Sequence, residues 1–274
     1  MNINSIGIVG AGLIGGSFAY AFYDKGYKVY TLEKNTNVFP ELVESDLFEG
    51  ITDDVNIFLD FPIDLIYICI PIKEAFDFIA YLGKKNIKLP ITDALSTKVS
   101  ITRLAKEYNL NFCGGHPIAG SEYSGFSHAR RSLFVGAKHI LVECDNIGLF
   151  NCLKKLHTSI GMDVVSLDAN RHDKMFGLIS HLPHLIAFNL IDTVLGCDRE
   201  ALDFTGAGFK DFTRIAGSSP ALWSSIFLDN KDNILEYANK FIEHLSQWLK
   251  IIEESDENKL IKLIKEASNN RNNL

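Results

Sequence analysis

The chain has 274 residues, is 47% hydrophobic, and carries a formal net charge of −7 from 27 Lys and Arg against 34 Asp and Glu. Its scattered cations give no basic field for nucleic acid, and its length favours two domains, each with room for its own core. The five cysteines, Cys69, Cys113, Cys144, Cys152 and Cys197, are odd in number, widely spaced and mostly set among apolar neighbours. They read as reduced core thiols of a cytoplasmic protein. No basic region followed by a long apolar stretch opens the sequence, so no secretory leader is expected.

In chain order, an apolar run at 3–9 leads into a helical pattern over 13–23, a strand at 28–32 and a polar, Pro-containing connection. Further strand-like runs at 65–70, 91–94, 112–113, 139–143 and 163–165 are interleaved with helical patterns at 73–82, 97–108 and 147–160. Such alternation predicts an α/β domain over 1–167, a doubly wound and mostly parallel sheet with helices on both faces. From 168 to 274 only helical patterning remains, which predicts a second, all-helical domain. The apolar region 175–195 contains Ser180, His181, Pro183, His184, Asn189 and Asp192, which a lipid-facing span would rarely tolerate, so a buried helical pair is expected and no membrane partner. Over 234–252, Ile234, Leu235, Ala238, Phe241, Ile242, Leu245, Trp248, Leu249 and Ile252 recur at three- and four-residue spacing, which suits a core or dimer helix. The Asn-rich tail from 269 is expected to fray.

The segment Gly10-Ala11-Gly12-Leu13-Ile14-Gly15 follows an apolar strand and opens a helix, the context a dinucleotide-binding turn requires. Gly10 permits the tight turn, Gly12 lets the backbone approach a pyrophosphate, and Gly15 allows close helix-to-strand packing, while helix N-terminal amides face the phosphates. Glu33 closes the second strand about twenty residues on, where a carboxylate accepts the ribose hydroxyls and repels a 2'-phosphate. NAD is therefore expected as cofactor over NADP, although the adjacent Lys34 works against strictness. Ile70 and Pro71, at the end of the run 65–70, complete the expected cofactor contacts. The plain alternative is a glycine-rich turn without a ligand and two ordinary surface charges.

Four further stretches carry chemistry: Asp93-Ala-Leu-Ser96-Thr97-Lys98, Gly114-Gly115-His116-Pro117-Ile118-Ala119-Gly120-Ser121-Glu122, Ser180-His181-Leu-Pro183-His184, and Gly208-Phe209-Lys210-Asp211-Phe212-Thr213-Arg214. In this order, behind a glycine-rich N-terminus, they resemble the prephenate dehydrogenase family over nearly the whole chain. The resemblance implies a Rossmann-like N-terminal domain, an all-helical domain that binds substrate and dimerises, and an active site in the cleft between them. It implies NAD-dependent oxidative decarboxylation of prephenate to 4-hydroxyphenylpyruvate in tyrosine biosynthesis. Arogenate as substrate is the close alternative, and a non-catalytic NAD-sensing dimer is a reading from another class.

Oxidation of a ring alcohol needs a neutral base, and a histidine with an ordinary pKa near ~6.5 supplies one. His116 is the candidate, with Pro117 restricting the backbone before it. Ser96 either aligns the alcohol or caps a helix starting at Thr97. By resemblance Arg214 binds a substrate carboxylate, oriented by Asp211 three positions earlier and by Glu122. His184 is expected to donate to the substrate side chain, which favours the keto acid. Ser121, Ser180 and Trp223 match cleft positions by resemblance, with a helix serine and a core indole as the plain alternatives for the last two. No metal is expected, since His181 and His184 lack a clear third ligand. Inhibition by tyrosine and a homodimer complete the expectations.

Overall fold

The structure is a computed structural model that describes residues 2–121 and 123–273. Six strands, β1 (Ser5–Val9), β2 (Lys28–Leu32), β3 (Gly50–Thr52), β4 (Leu65–Ile68), β5 (Ile91–Asp93) and β6 (Phe112–Cys113), form one parallel sheet in the order β3-β2-β1-β4-β5-β6. Parallel neighbours need crossovers, supplied here by α1 (Leu13–Tyr23), α2 (Phe39–Glu44), α3 (Val55–Asp60), α4 (Ile72–Lys84) and α5 (Val99–Glu107). Because successive side chains on a strand point to opposite faces, β4 sends Leu65 and Tyr67 toward Phe18 and Phe22 of α1, and Ile66 and Ile68 toward Ile79 and Leu82 of α4. Both faces of β4 are buried, which is why it reads as an unbroken apolar run. The order reverses direction between β1 and β4, which opens a crevice at their C-terminal ends.

Three more strands depart from the expected continuous sheet. β7 (Gly115–Pro117) pairs antiparallel with β8 (Lys138–Val142), which pairs parallel with β9 (Asp163–Leu167) across α6 (Ile147–Ser159). This is a separate three-stranded sheet. Its edge strand, Gly-His-Pro, has no apolar alternation to announce it, and an edge is where Pro117 costs no ladder bond. β3 and the two short helices around it likewise fill what reads as a plain connection.

Behind this second sheet His139 and His157 stack with ring centroids 3.7 Å apart, and both are fully buried. Nδ1 of His157 donates to the Leu153 carbonyl at 2.7 Å, so its Nε2 accepts the Tyr67 hydroxyl at 2.9 Å. Burial pushes His157 down to about 4. The unfolded histidine, titrating near ~6.5, binds more protons, so this site's stability is complete above that pH, falls below it, and is lost once the folded value is passed. The gap corresponds to roughly 3 kcal/mol. Urea midpoints should fall as pH drops from 7 to 4, and the double variant Tyr67→Phe, His157→Leu should flatten that slope. An equal slope in the variant would place the acid lability elsewhere.

After β9 the chain is helical. α7 (Ala169–Phe176), a π turn (Gly177–His181) and α8 (Leu182–Cys197) run as one path rather than as the expected pair. The widened turn precedes Pro183, whose ring and missing N–H disrupt an ordinary helical turn. By length and composition Ala169–Cys197 could cross a membrane, but His172 and Asp173 within it are buried and hydrogen-bonded to β7 and α5. Leu178, Ile179 and Leu195 are exposed rather than buried. α9 (Ala207–Thr213), α10 (Pro220–Asp229), α11 (Lys231–Glu253) and α12 (Glu257–Asn272) follow, so the Asn-rich segment is helical to Asn272 instead of frayed. Trp223 and Ile226 of α10 join the α4 side of the core. On α11 only Ile234 is buried, and Leu235, Phe241, Ile242, Leu245, Leu249 and Ile252 are exposed.

Candidate active site

The glycine turn sits at the β1/β4 crevice. Gly10 has φ +90°, and a Cβ there would lie 2.5 Å from Ile70 Cγ2 and 2.9 Å from the Cys69 carbonyl. A Cβ on Gly15 would lie 1.9 Å from the Gly10 carbonyl, so only hydrogen lets α1 start this close to β1. Gly12 is different: a Cβ would meet nothing within 4 Å, because its Cα faces open space. Glu33 reaches back to this turn, where its Oε2 accepts the Ala11 amide and its Oε1 the Asn35 amide, both at 2.8 Å. Lys34 instead donates to the Asp53 carbonyl at 2.8 Å. A carboxylate fixed beside a backbone cradle, with free helix N-terminal amides, fits a dinucleotide lacking a 2'-phosphate.

Opening from the turn is a cavity of about 360 Å³. Gly12, Leu13, Ile14, Ile70 and Pro71 line one side, Ser96, His116 and Ser121 another, and Ser219 and Leu222 close it from the helical region. Half-buried His116 is held by its Nδ1, 2.8 Å from Nε2 of His172. His172 Nδ1 lies 2.7 Å from Asp173 Oδ1, and the Asp173 carboxylate also accepts the amides of Lys98 at 2.8 Å and Val99 at 2.9 Å. Burial, then neighbouring His172, Lys98 and His181, hold His116 well below its usual value, so it is neutral at physiological pH. Ser96 makes no hydrogen bond with the described residues and, since α5 starts at Val99 with no side-chain cap, it is not the helix cap that was the alternative. Its hydroxyl is left to the cavity.

A buried ion pair supports the strand that carries His116. Lys98 donates to Asp93 and, at 2.7 Å, to the Gly115 carbonyl, while Asp93 accepts the Gly115 amide at 2.9 Å. Burial raises Asp93 and lowers Lys98, each opposed by the other's charge. Removing either partner alone would leave an uncompensated buried charge.

Family models match most of the chain: "Prephenate dehydrogenase, nucleotide-binding domain" over residues 18–166, and "Prephenate dehydrogenase, dimerization domain" over 168–266. The chain belongs to the prephenate dehydrogenase family. It is 30% identical to the prephenate dehydrogenase of Bacillus subtilis over 99% of this chain and 76% of that protein. Among solved structures, prephenate dehydrogenase from Aquifex aeolicus in complex with hydroxyphenyl propionate and NAD+ superposes with a TM-score of 0.93 at 30% identity, covering 99% of this chain and 98% of that one. Synechocystis arogenate dehydrogenase gives 0.81 at 25% identity, covering 98% and 99%.

In this family member the remaining expected site residues that are described, Arg214, Asp211, His184, Ser180 and Trp223, do not line the cavity with His116. Trp223 is buried, its ring 3.5 Å from that of His184. His184 Nδ1 donates to the Ser180 carbonyl at 2.9 Å, and burial and nearby Arg214 lower its pKa. The neutral ring thus offers Nε2 as an acceptor, not the expected donor, and donation from that nitrogen would require protonation. Ser180 contributes its backbone here, at the half-buried end of the π turn. Arg214 is exposed at the C-terminal end of α9, and Asp211 forms no ion pair among the described residues, so the expected pair three positions apart does not form. Glu122 lies outside the described residues. Sequence reasoning missed His172, Asp173 and the support role of Asp93 and Lys98. Only the Asp93-to-Lys98 stretch had been singled out, and nothing local links His116 to a residue 56 positions away.

Proposed function

We propose that this chain catalyses NAD-dependent oxidative decarboxylation of prephenate to 4-hydroxyphenylpyruvate, with His116 as base and Ser96 aligning the substrate hydroxyl. The observation that carries the residue assignment is one cavity in which the glycine turn, Ser96 and a neutral His116 meet. NAD, when bound over Gly12 with its ribose at Glu33, supplies the hydride acceptor. As the ring carbon bearing the hydroxyl gives up hydride, His116 takes the hydroxyl proton on Nε2. The bond to the ring carboxylate breaks, its electrons aromatise the ring, carbon dioxide leaves, and the borrowed proton returns to the phenolate oxygen. Protons and electrons balance with one hydride transferred. Arg214 is the proposed ligand of a substrate carboxylate.

The apolar faces of α8 and α11 meet their counterparts on a second copy, giving a homodimer, and the enzyme works in the cytoplasm. NADH formation by the purified protein, compared for prephenate and arogenate with NAD and NADP, tests the reading. Turnover is expected with prephenate and NAD, and tyrosine, which shares the product's framework, should raise the apparent KM for prephenate. Faster turnover of arogenate would reassign the substrate, and none with either would overturn the reaction.

A further inference from the structure

The histidine assigned as base is the first member of a hydrogen-bonded file. His116 on β7 contacts His172 on α7 at 2.8 Å, and His172 contacts the Asp173 carboxylate at 2.7 Å. A carboxylate only accepts, so His172 must place its proton on Nδ1, and its Nε2 then carries a lone pair. That lone pair requires a proton on Nδ1 of His116. One tautomer follows for His116, with Nε2 unprotonated and open to an incoming proton. We propose that His172 and Asp173 are positioning residues that fix this tautomer and share the charge His116 gains, a reading that rests on His116 being the base.

The surroundings make the file directional. Asp173 cannot turn away, because both its oxygens accept backbone amides at the start of α5, from Lys98 and Val99. Its own carbonyl accepts Nδ2 of Asn230, which also meets Nδ1 of His181 at 3.0 Å. Phe176 packs on both imidazoles, with ring centroids 4.9 Å from His116 and 4.5 Å from His172. Both His172 and Asp173 are almost fully buried, so solvent does little to stabilise an imidazolium there. Other titratable groups facing the file are Lys98 and His181, which oppose protonation of His116 and His172, His139 on β8, which interacts with His116, and Asp93, which is paired with Lys98. Asp173 is then the anion placed to offset a proton arriving at His116. The file also joins the nucleotide-binding domain to the helical one, so the base is correctly protonated only when α7 is seated on β7.

The test uses the full chain saturated with NAD. Two-bond proton–nitrogen spectra of histidine-labelled protein, with His116 assigned by loss of its signals in His116→Asn, should report Nδ1 protonated and Nε2 bare. In His172→Phe, which fills the volume but accepts nothing, kcat should fall by about 10²-fold, with NAD affinity within about twofold of wild type. In His172→Gln the amide oxygen can accept from His116 while its NH2 donates to Asp173, so kcat should recover by about tenfold over the Phe variant. A merely structural role would not separate these variants in kcat at matched folded fraction. Protonation of wild-type His116 on Nε2, or a folded His172→Phe within about threefold of wild-type kcat, would overturn the proposal. If the Phe variant does not fold, the wild-type spectrum decides. Undiminished turnover in His116→Asn would instead remove the base assignment, so the two failures are distinguishable.

Discussion

His116→Asn lowers kcat by about 10²- to 10⁴-fold, the range over which a positioned proton acceptor contributes, and leaves NADH binding by fluorescence titration unchanged. Asparagine fills similar space and can still bond to His172 through its amide, so β7 keeps its edge position and Lys98 and Asp93 keep their hold on Gly115. What disappears is the unprotonated imidazole nitrogen. The acid limb of kcat/KM follows from the same environment. Burial and three neighbouring cations or imidazoles lower His116, so the neutral base persists below pH ~6.5 and activity is lost only as pH falls through the depressed value. A limb centred above that ordinary value, or near-normal kcat in the Asn variant, would remove His116 from the mechanism.

Much of the frame was legible because its physics is local. The run that became β4 is apolar on both faces, those of β1 and β2 are mostly so, and the glycine spacing at 10–15 identifies itself once a strand precedes it and a helix follows. β7 was hidden because Gly-His-Pro carries no periodic signal, and its place at a sheet edge depends on β8, more than twenty residues on. The stripe on α11 was visible, but periodicity cannot tell a face covered by its own chain from one left exposed, and here it is exposed. At the site, His116 and Ser96 were readable from their motifs, whereas the partner of His116 was not, because His172 and Asp173 sit in a polar helical segment that looks like solvated surface. His184 illustrates the converse. The sequence singled it out as a donor to the substrate, but that role depends on which ring nitrogen the Ser180 carbonyl engages, and that is a property of the π turn.

Two glycines of one motif should fail in opposite ways. In Gly15→Ala the new Cβ would sit 1.9 Å from the Gly10 carbonyl, a backbone atom that no rotamer change can clear, so α1 must slide from β1 against the packed Phe18 and Phe22. Overpacking of that kind costs about 3 kcal/mol or more, which for a chain of this size lowers the apparent Tm by roughly 10 °C. Gly12 has φ −77°, which alanine adopts freely, and its Cβ would meet no protein atom. Gly12→Ala should therefore melt with wild type, yet its methyl group occupies the space through which a pyrophosphate approaches the helix amides, raising the KM for NAD by about tenfold or more. Paired melting curves and NAD titrations separate the two effects. Wild-type NAD affinity in Gly12→Ala would move the dinucleotide off this turn, and a Tm loss equal to that of Gly15→Ala would mean that the open face of Gly12 is closed in solution.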